Sequence, residues 1–127
     1  MDQPSSNPLQ GARVLIVEDE YFIADDLMRA ISAAGADPVG PVASVEQADA
    51  LLAKSSVDAV VVDLNLRGSM AFDFVERLAG GHLPCLIVSG YGETALPEAL
   101  KAVPRLEKPV RLQAVVEALS RVLRETA

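Results

Sequence analysis

Four short segments that are rich in apolar residues end in, or are followed by, acidic, hydroxyl-bearing or basic side chains. They are Glu18-Asp19, Asp63, Ser89 and Lys108. Carboxylates that converge on one point repel each other unless a cation offsets their charge, and Mg²⁺ suits a site of a few carboxylates. A hydroxyl and an ammonium group beside a carboxylate could hold a phosphoryl group on it. These residue types therefore indicate Mg²⁺-assisted phosphoryl chemistry centred on Asp63.

The segment before Asp63 predicts how this carboxylate is positioned. Residues 59–62 are four uninterrupted apolar positions, three of them β-branched. A continuous apolar run of strand length is typical of a strand that is buried on both faces in the middle of a parallel sheet. Ligands of open α/β sheets bind at the carboxyl ends of the strands. Asp63 is therefore predicted to lie at the ligand-binding edge of the sheet.

The remaining pattern predicts alternating strands and helices. The predicted strands are at residues 14–17, 39–43, 57–63, 84–88 and 103–106. A helix is predicted after each strand, and the fourth, near residues 93–101, is the weakest because Pro97 falls inside it. Pro38 and Pro41 place the second strand at an edge. Gly35 marks the end of the first helix, and Ser44 with Gln47 forms a capping box that begins the second. Five strand–helix units predict an α/β fold with a parallel sheet.

Composition limits the classes of protein that this chain could belong to. The 127 residues carry a formal net charge of −7, which argues against nucleic-acid binding. The single Cys85 excludes an internal disulfide, and no signal peptide or membrane-spanning run is apparent. We expect a disordered tail at residues 1–11, one domain at residues 12–124, a cytoplasmic location and no membrane partner.

The motif residues resemble the receiver domain of bacterial two-component response regulators. That family has an acidic pair after strand one, a phosphoacceptor Asp after strand three, Ser or Thr after strand four and Lys-Pro after strand five. The corresponding residues here are Glu18-Asp19, Asp63, Ser89 and Lys108-Pro109. The resemblance covers about residues 12–124 and implies a flavodoxin-like (βα)5 three-layer sandwich with the strand order 2-1-3-4-5.

The resemblance also implies roles for individual residues. Asp63 would receive a phosphoryl group from the phosphohistidine of a sensor histidine kinase or a histidine phosphotransfer protein. The implied Mg²⁺ ligands are Glu18, Asp19, Asp63 and the backbone carbonyl of Asn65. Ser89 and Lys108 would each contact a phosphoryl oxygen. The Lys108–Pro109 peptide bond is expected to be cis.

Some positions depart from the family pattern. Arg105 stands where many receivers have an aromatic switch residue, and Leu66-Arg67-Gly68-Ser69 replaces the usual segment after the phosphoacceptor. Ser89-Gly90-Tyr91-Gly92 resembles a subgroup of single-domain receivers with a hydroxyl residue, Gly and an aromatic residue after strand four. Tyr91 is therefore the candidate switch residue, together with Pro109.

The resulting hypothesis is a phosphorylation-controlled switch that binds an unidentified output protein, or a phosphorelay or phosphate sink. It would not be an enzyme in the usual sense. One alternative is a Mg²⁺-dependent aspartyl-phosphate phosphohydrolase, although such enzymes typically have Asp where this chain has Asn65. The other is a degenerate receiver that acts as a phosphorylation-independent interaction module.

Overall fold

The computed structural model describes residues 7–90 and 96–126. The strands in these ranges are β1 (Arg13–Val17), β2 (Asp37–Val42), β3 (Ala59–Asp63), β4 (Asn65–Leu66), β5 (Ser69–Met70), β6 (Cys85–Ser89) and β7 (Arg105–Glu107). Five of them form a parallel sheet in the order β2-β1-β3-β6-β7, whereas β4 and β5 pair as an antiparallel hairpin. Counted along the main sheet, this arrangement confirms the order 2-1-3-4-5, with the proline-containing strand at the edge.

Four α-helices connect or follow these strands in the described residues. They are α1 (Tyr21–Ala33), α2 (Val45–Lys54), α3 (Phe72–Gly80) and α4 (Leu112–Thr126). The described part of the predicted fourth helix contains only a 3₁₀ turn at Glu98–Leu100, directly after Pro97. Proline has no backbone N–H and its ring opposes a preceding helical turn. None of the helices in the described residues is both long and apolar enough to cross a membrane.

Both faces of the main sheet are covered, as the continuous apolar strands predicted. In β1, Val14 and Ile16 belong to one buried apolar cluster, and Leu15 and Val17 belong to another. Residues of α1 and α4 complete the first cluster, while α2, α3 and the 3₁₀ turn contribute to the second. Every residue of β3 is buried. The three-layer sandwich is therefore confirmed, and β3 lies at its centre.

The ends of α1 and α2 follow the sequence signals. Gly35 has a φ of +98° directly after the last turn of α1, a conformation that glycine adopts without strain. At the start of α2, the Ser44 hydroxyl accepts a hydrogen bond of 3.1 Å from the Gln47 backbone N–H. The Gln47 side chain accepts one from the Ala43 N–H, not from that of Ser44. The predicted capping box is thus present, with its return bond displaced by one residue.

Part of the segment predicted as a tail makes contacts with the rest of the structure. Residues 1–6 lie outside the described residues, but Leu9 is fully buried in the cluster formed with α1 and α4. The Leu9 backbone N–H donates to the Ala34 carbonyl at 2.9 Å. The sequence gives no indication of these contacts, because a single apolar side chain in a polar segment gives no periodic signal; the domain boundary at residue 12 stays a prediction.

Candidate functional site

Parallel pairing brings the ends of four strands to one edge of the sheet. Val17 of β1 is in register with Val62 of β3, so Glu18 and Asp63 follow these two residues side by side. At the other flank of β3, the end of β6 pairs with β7, just before Lys108. A cavity of about 480 Å³ opens at this edge. It is lined by Asp19, Glu20, Asp63, Asn65, Arg67, Gly68, Gly90 and Lys108.

The ammonium group of Lys108 lies among three carboxylates. Its Nζ is 2.8 Å from Asp63 Oδ2, 3.2 Å from Glu18 Oε1 and 3.4 Å from Glu20 Oε1. The Lys108 backbone is held in turn by a 2.8 Å hydrogen bond from its N–H to the Ser89 carbonyl. Burial alone would lower the pKa of Lys108, but the hydrogen bond and charge of Asp63, together with Glu18, raise it above its usual value. The ammonium group therefore stays protonated.

Asp63 is buried and held through both of its carboxylate oxygens. Oδ2 accepts the hydrogen bond from Lys108, and Oδ1 accepts one of 3.0 Å from the Asn65 backbone N–H. One oxygen is thus fixed by the residue that follows β7, and the other by the start of the β4–β5 hairpin. Because hydrogen bonds to both oxygens restrict rotation, the carboxylate has a defined orientation at the cavity wall.

Glu18 is a buried carboxylate whose charge is only partly compensated. Oε2 accepts a hydrogen bond of 3.1 Å from the Glu20 N–H, whereas Oε1 accepts none and has only its ion pair with Lys108. Burial raises the pKa of Glu18 to about 7; the charge of Asp63 adds to this effect, and the Glu20 N–H and Lys108 oppose it. A further cation at this position would stabilise the ionised form.

The acidic residues converge in a different combination from the predicted one. Oxygen atoms of Glu18, Glu20 and Asp63 lie within 4.8 Å of one another, a grouping that could hold a metal ion. Asp19 lines the cavity, but its Oδ2 lies 3.8 Å from Arg67 Nε. Sequence reasoning missed Glu20, although it belongs to the same acidic run, because the family pattern has only an acidic pair at this point, matched by Glu18 and Asp19. The ligand roles predicted for Glu18, Asp19, Asp63 and the Asn65 carbonyl all remain predictions.

The other predicted site residues are distributed around this cluster. Ser89 is fully buried at the end of β6 and does not line the cavity, although the adjacent Gly90 does. The Lys108–Pro109 peptide bond is cis, as predicted. Tyr91, the candidate switch residue, lies outside the described residues. Arg105 is a partly buried residue of β7.

The β4–β5 hairpin adds a residue that sequence reasoning did not assign to the site. Its loop has two residues, Arg67 and Gly68, and both have positive φ, +56° and +84°. Such turns match the twist of a hairpin but rarely contain a residue other than Gly, Asn or Asp at the first position. The Asn65 side chain accepts a 2.7 Å hydrogen bond from the Gly68 N–H and so closes the loop. The sequence signal that could have identified Arg67 was the departure from the family pattern at Leu66-Arg67-Gly68-Ser69.

Comparison with known proteins identifies the family. The model of the response regulator receiver domain matches residues 14–120. The chain belongs to this family. Receiver domains are signalling phosphoacceptors, so membership favours that class over the phosphohydrolase alternative. No curated protein sequence matches the chain.

Solved receiver structures show the same fold. SdrG from Sphingomonas melonis Fr1 is 32% identical, with a TM-score of 0.76 over 89% of this chain and 97% of SdrG. The response regulator PhyR from Brucella abortus is 27% identical with a TM-score of 0.80; the match covers 95% of this receiver and 52% of that chain. A CheY-like receiver domain from Methanospirillum hungatei JF-1, 19% identical with a TM-score of 0.82 over 92% of this chain and 97% of its own, supports the fold alone.

Proposed function

We propose that this receiver is switched by phosphorylation of Asp63. The donor is the phosphohistidine of a sensor histidine kinase or a histidine phosphotransfer protein. In the transfer, the donor's N–P bond breaks and a bond forms between a carboxylate oxygen of Asp63 and phosphorus. The observation that carries the proposal is the 2.8 Å contact between Lys108 Nζ and Asp63 Oδ2 at the wall of an open cavity.

The residues around Asp63 have complementary tasks. The Asn65 N–H orients the carboxylate, and Lys108 offsets part of the negative charge that gathers on the phosphoryl oxygens during transfer. Ser89 hydrogen-bonds a phosphoryl oxygen of the product, which requires its buried hydroxyl to become accessible. Because Lys108 is shared with Glu18 and Glu20, a new phosphoryl group competes for it with both carboxylates.

The acidic residues fit a divalent cation. The support is the Glu18 Oε1 atom, which is buried without a hydrogen bond within reach of two other carboxylates. Glu18 and Asp63 would hold Mg²⁺ together with Asp19 or Glu20 and the Asn65 carbonyl, all oxygen ligands of the kind this ion prefers. When bound, the ion supplies positive charge that offsets the charge on the transferred phosphoryl group.

The output follows from charge at the sheet edge. Aspartyl phosphate replaces one carboxylate charge with a group that carries about two negative charges. Lys108 and Pro109 belong to the segment that joins β7 to α4. A change in the contacts of Lys108 would therefore shift the residues that lead into α4. An output protein that prefers one arrangement of this edge would then read the phosphorylation state; a relay or sink needs no such partner.

Intact-mass measurement tests the phosphoacceptor directly. The protein is incubated with a small-molecule phosphodonor with and without Mg²⁺, and we expect a Mg²⁺-dependent gain of one phosphoryl group. Asp63→Asn should abolish this gain, whereas Asp73→Asn, an exposed change on α3, should retain it. Equal labelling of wild type and Asp63→Asn would contradict the assignment. No labelling by either a small donor or a histidine kinase would favour the degenerate interaction module.

A further inference from the structure

Arg67 is the second cationic side chain that lines the cavity in the described residues, and no role follows for it from the proposed chemistry. Its side chain is 77% exposed, and its φ of +56° is uncommon for a residue other than glycine. Backbone conformations of this kind cluster at functional sites because the surrounding structure must enforce them. Here the enforcing contact is the hydrogen bond from the Gly68 N–H to the Asn65 side chain.

The hairpin couples Arg67 to the phosphoacceptor. The Asn65 backbone N–H donates to Asp63 Oδ1, and the Asn65 side chain closes the loop that carries Arg67. Two consecutive hydrogen bonds therefore link the Asp63 carboxylate to the base of the arginine side chain. The position of the Arg67 backbone relative to Asp63 is set by this link, while the long side chain keeps its rotational freedom at the mouth of the cavity.

The electrostatic balance of the site leaves the Arg67 guanidinium as the group best able to receive an anion. Lys108 has three N–H donors and lies within 3.4 Å of three carboxylates. Arg67 has five donors, and its contact with Asp19 is 3.8 Å long, which is beyond hydrogen-bond distance. An exposed ion pair of this kind contributes little stability, so its loss would oppose a new contact only weakly.

Resting on the proposed function, we infer that Arg67 binds the phosphoryl oxygens, on the donor before transfer and on Asp63 after it. Four carboxylates (Glu18, Asp19, Glu20 and Asp63) surround the site, so an incoming phosphoryl group needs cationic compensation besides Lys108. The planar guanidinium can donate two parallel hydrogen bonds to two phosphoryl oxygens, a geometry that a tetrahedral ammonium group lacks. In moving to the phosphoryl group, Arg67 also releases Asp19.

Substitutions at position 67 must keep the turn intact. Arg67→Asn removes the charge and retains a residue that tolerates positive φ. Arg67→Lys keeps the charge and loses the planar fork. Arg121→Gln, an exposed change on α4 away from the cavity, is the control for loss of one positive charge. Thermal unfolding of each variant checks that the fold is retained.

Two measurements at saturating Mg²⁺ test the inference. One is the affinity for beryllofluoride, which mimics a phosphoryl group on a carboxylate; the other is the initial rate of labelling by acetyl phosphate. The loss of a charge-assisted contact predicts that Arg67→Asn weakens analogue affinity about 10-fold and slows labelling to a similar degree. Arg67→Lys should be intermediate, and Arg121→Gln should match wild type.

Different results separate this inference from the proposed function. Wild-type labelling with an unchanged Arg67→Asn variant would overturn the role of Arg67 and leave Asp63 as phosphoacceptor. An Arg67→Asn variant that binds Mg²⁺ more tightly in calorimetry, but binds beryllofluoride as wild type does, would also overturn it, since Arg67 would then act only on Asp19. If wild type is labelled neither by acetyl phosphate nor by a histidine kinase and does not bind the analogue, both proposals would be overturned.

Discussion

At the scale of single residues, the site is a cluster of buried carboxylates whose charge is only partly offset by one lysine. Glu18 and Asp63 are buried, and Lys108 contacts both. Removing two carboxylates from water is costly, and one ammonium group offsets only part of that cost. The raised pKa of Glu18 expresses the remaining imbalance. Stability and the proposed cation binding would therefore be linked at the same three side chains.

The pH dependence of stability should reveal Glu18. Its pKa rises from 4.5 to about 7 on folding, so the folded state holds this proton more tightly than the unfolded state. The free energy of unfolding should consequently fall as the pH rises from 4.5 to 7, by on the order of 2 kcal/mol from this group. Glu18→Gln cannot ionise and should lose less stability over the same interval.

Urea unfolding at several pH values, with a chelator present, measures how much stability wild type and Glu18→Gln each lose as the pH rises. Glu117→Gln, an exposed change on α4, is the matched control and should follow the wild-type curve. Parallel curves of unfolding free energy against pH for wild type and Glu18→Gln would show that burial does not disfavour the ionised form of Glu18. Addition of Mg²⁺ should reduce the difference in pH dependence between wild type and Glu18→Gln, because the ion stabilises the charged carboxylate of Glu18.

At the scale of elements, the β4–β5 hairpin shows how a short local motif positions the chemistry. Asn65 and Gly68 close a two-residue loop, and this loop is tied to Asp63 through one backbone N–H. The hairpin is not part of the main sheet, but its residues line the same cavity as Asp63. The conformation of the loop therefore bears on the orientation of Asp63 and on the cavity wall.

Two glycines with open surroundings isolate the effect of backbone conformation. A Cβ atom would meet no atom within 4 Å at Gly68 or at Gly80, but Gly68 has a φ of +84° and Gly80 is the last residue of α3. Gly68→Ala should lower the free energy of unfolding by about 1 kcal/mol. Gly80→Ala should leave it unchanged or raise it slightly. Chemical denaturation of both variants checks this, and equal effects would contradict a strained loop.

At the scale of the whole molecule, the N-terminal segment completes the layer of α1 and α4. Leu9 is fully buried with Ile31 and Leu119, and its backbone is bonded to Ala34. Gly35 allows this close approach, since a Cβ atom there would lie 2.7 Å from Asn7 Cβ. Within the described residues, the segment at residues 7–12 is therefore held against α1 and α4.

Truncation of Leu9 tests whether this packing stabilises the domain. Leu9→Ala should lower the free energy of unfolding by about 2 to 4 kcal/mol, because it leaves a cavity between α1 and α4. Gln10→Ala, the adjacent exposed change, should have an effect below about 0.5 kcal/mol. Equal midpoints for both variants in denaturant unfolding would instead support the disordered segment that the sequence predicted.

The fold and the identity of the main polar residues could be predicted from the sequence because they depend on local patterns. Continuous apolar runs such as residues 59–62 specify buried parallel strands, and the carboxyl ends of such strands must share one edge. Asp63, Glu18 and Lys108 were found in this way, and the structure brings them together.

Tertiary structure alone decided the remaining features of the site. Glu20 joins the carboxylate cluster, Arg67 lines the cavity and the buried Ser89 does not, because side-chain direction depends on contacts between segments far apart in sequence. Leu9 likewise depends on a cavity that exists only after α1 and α4 have packed. The sequence by itself determined which strand ends carry the chemistry; the packing of distant segments decided which atoms meet there.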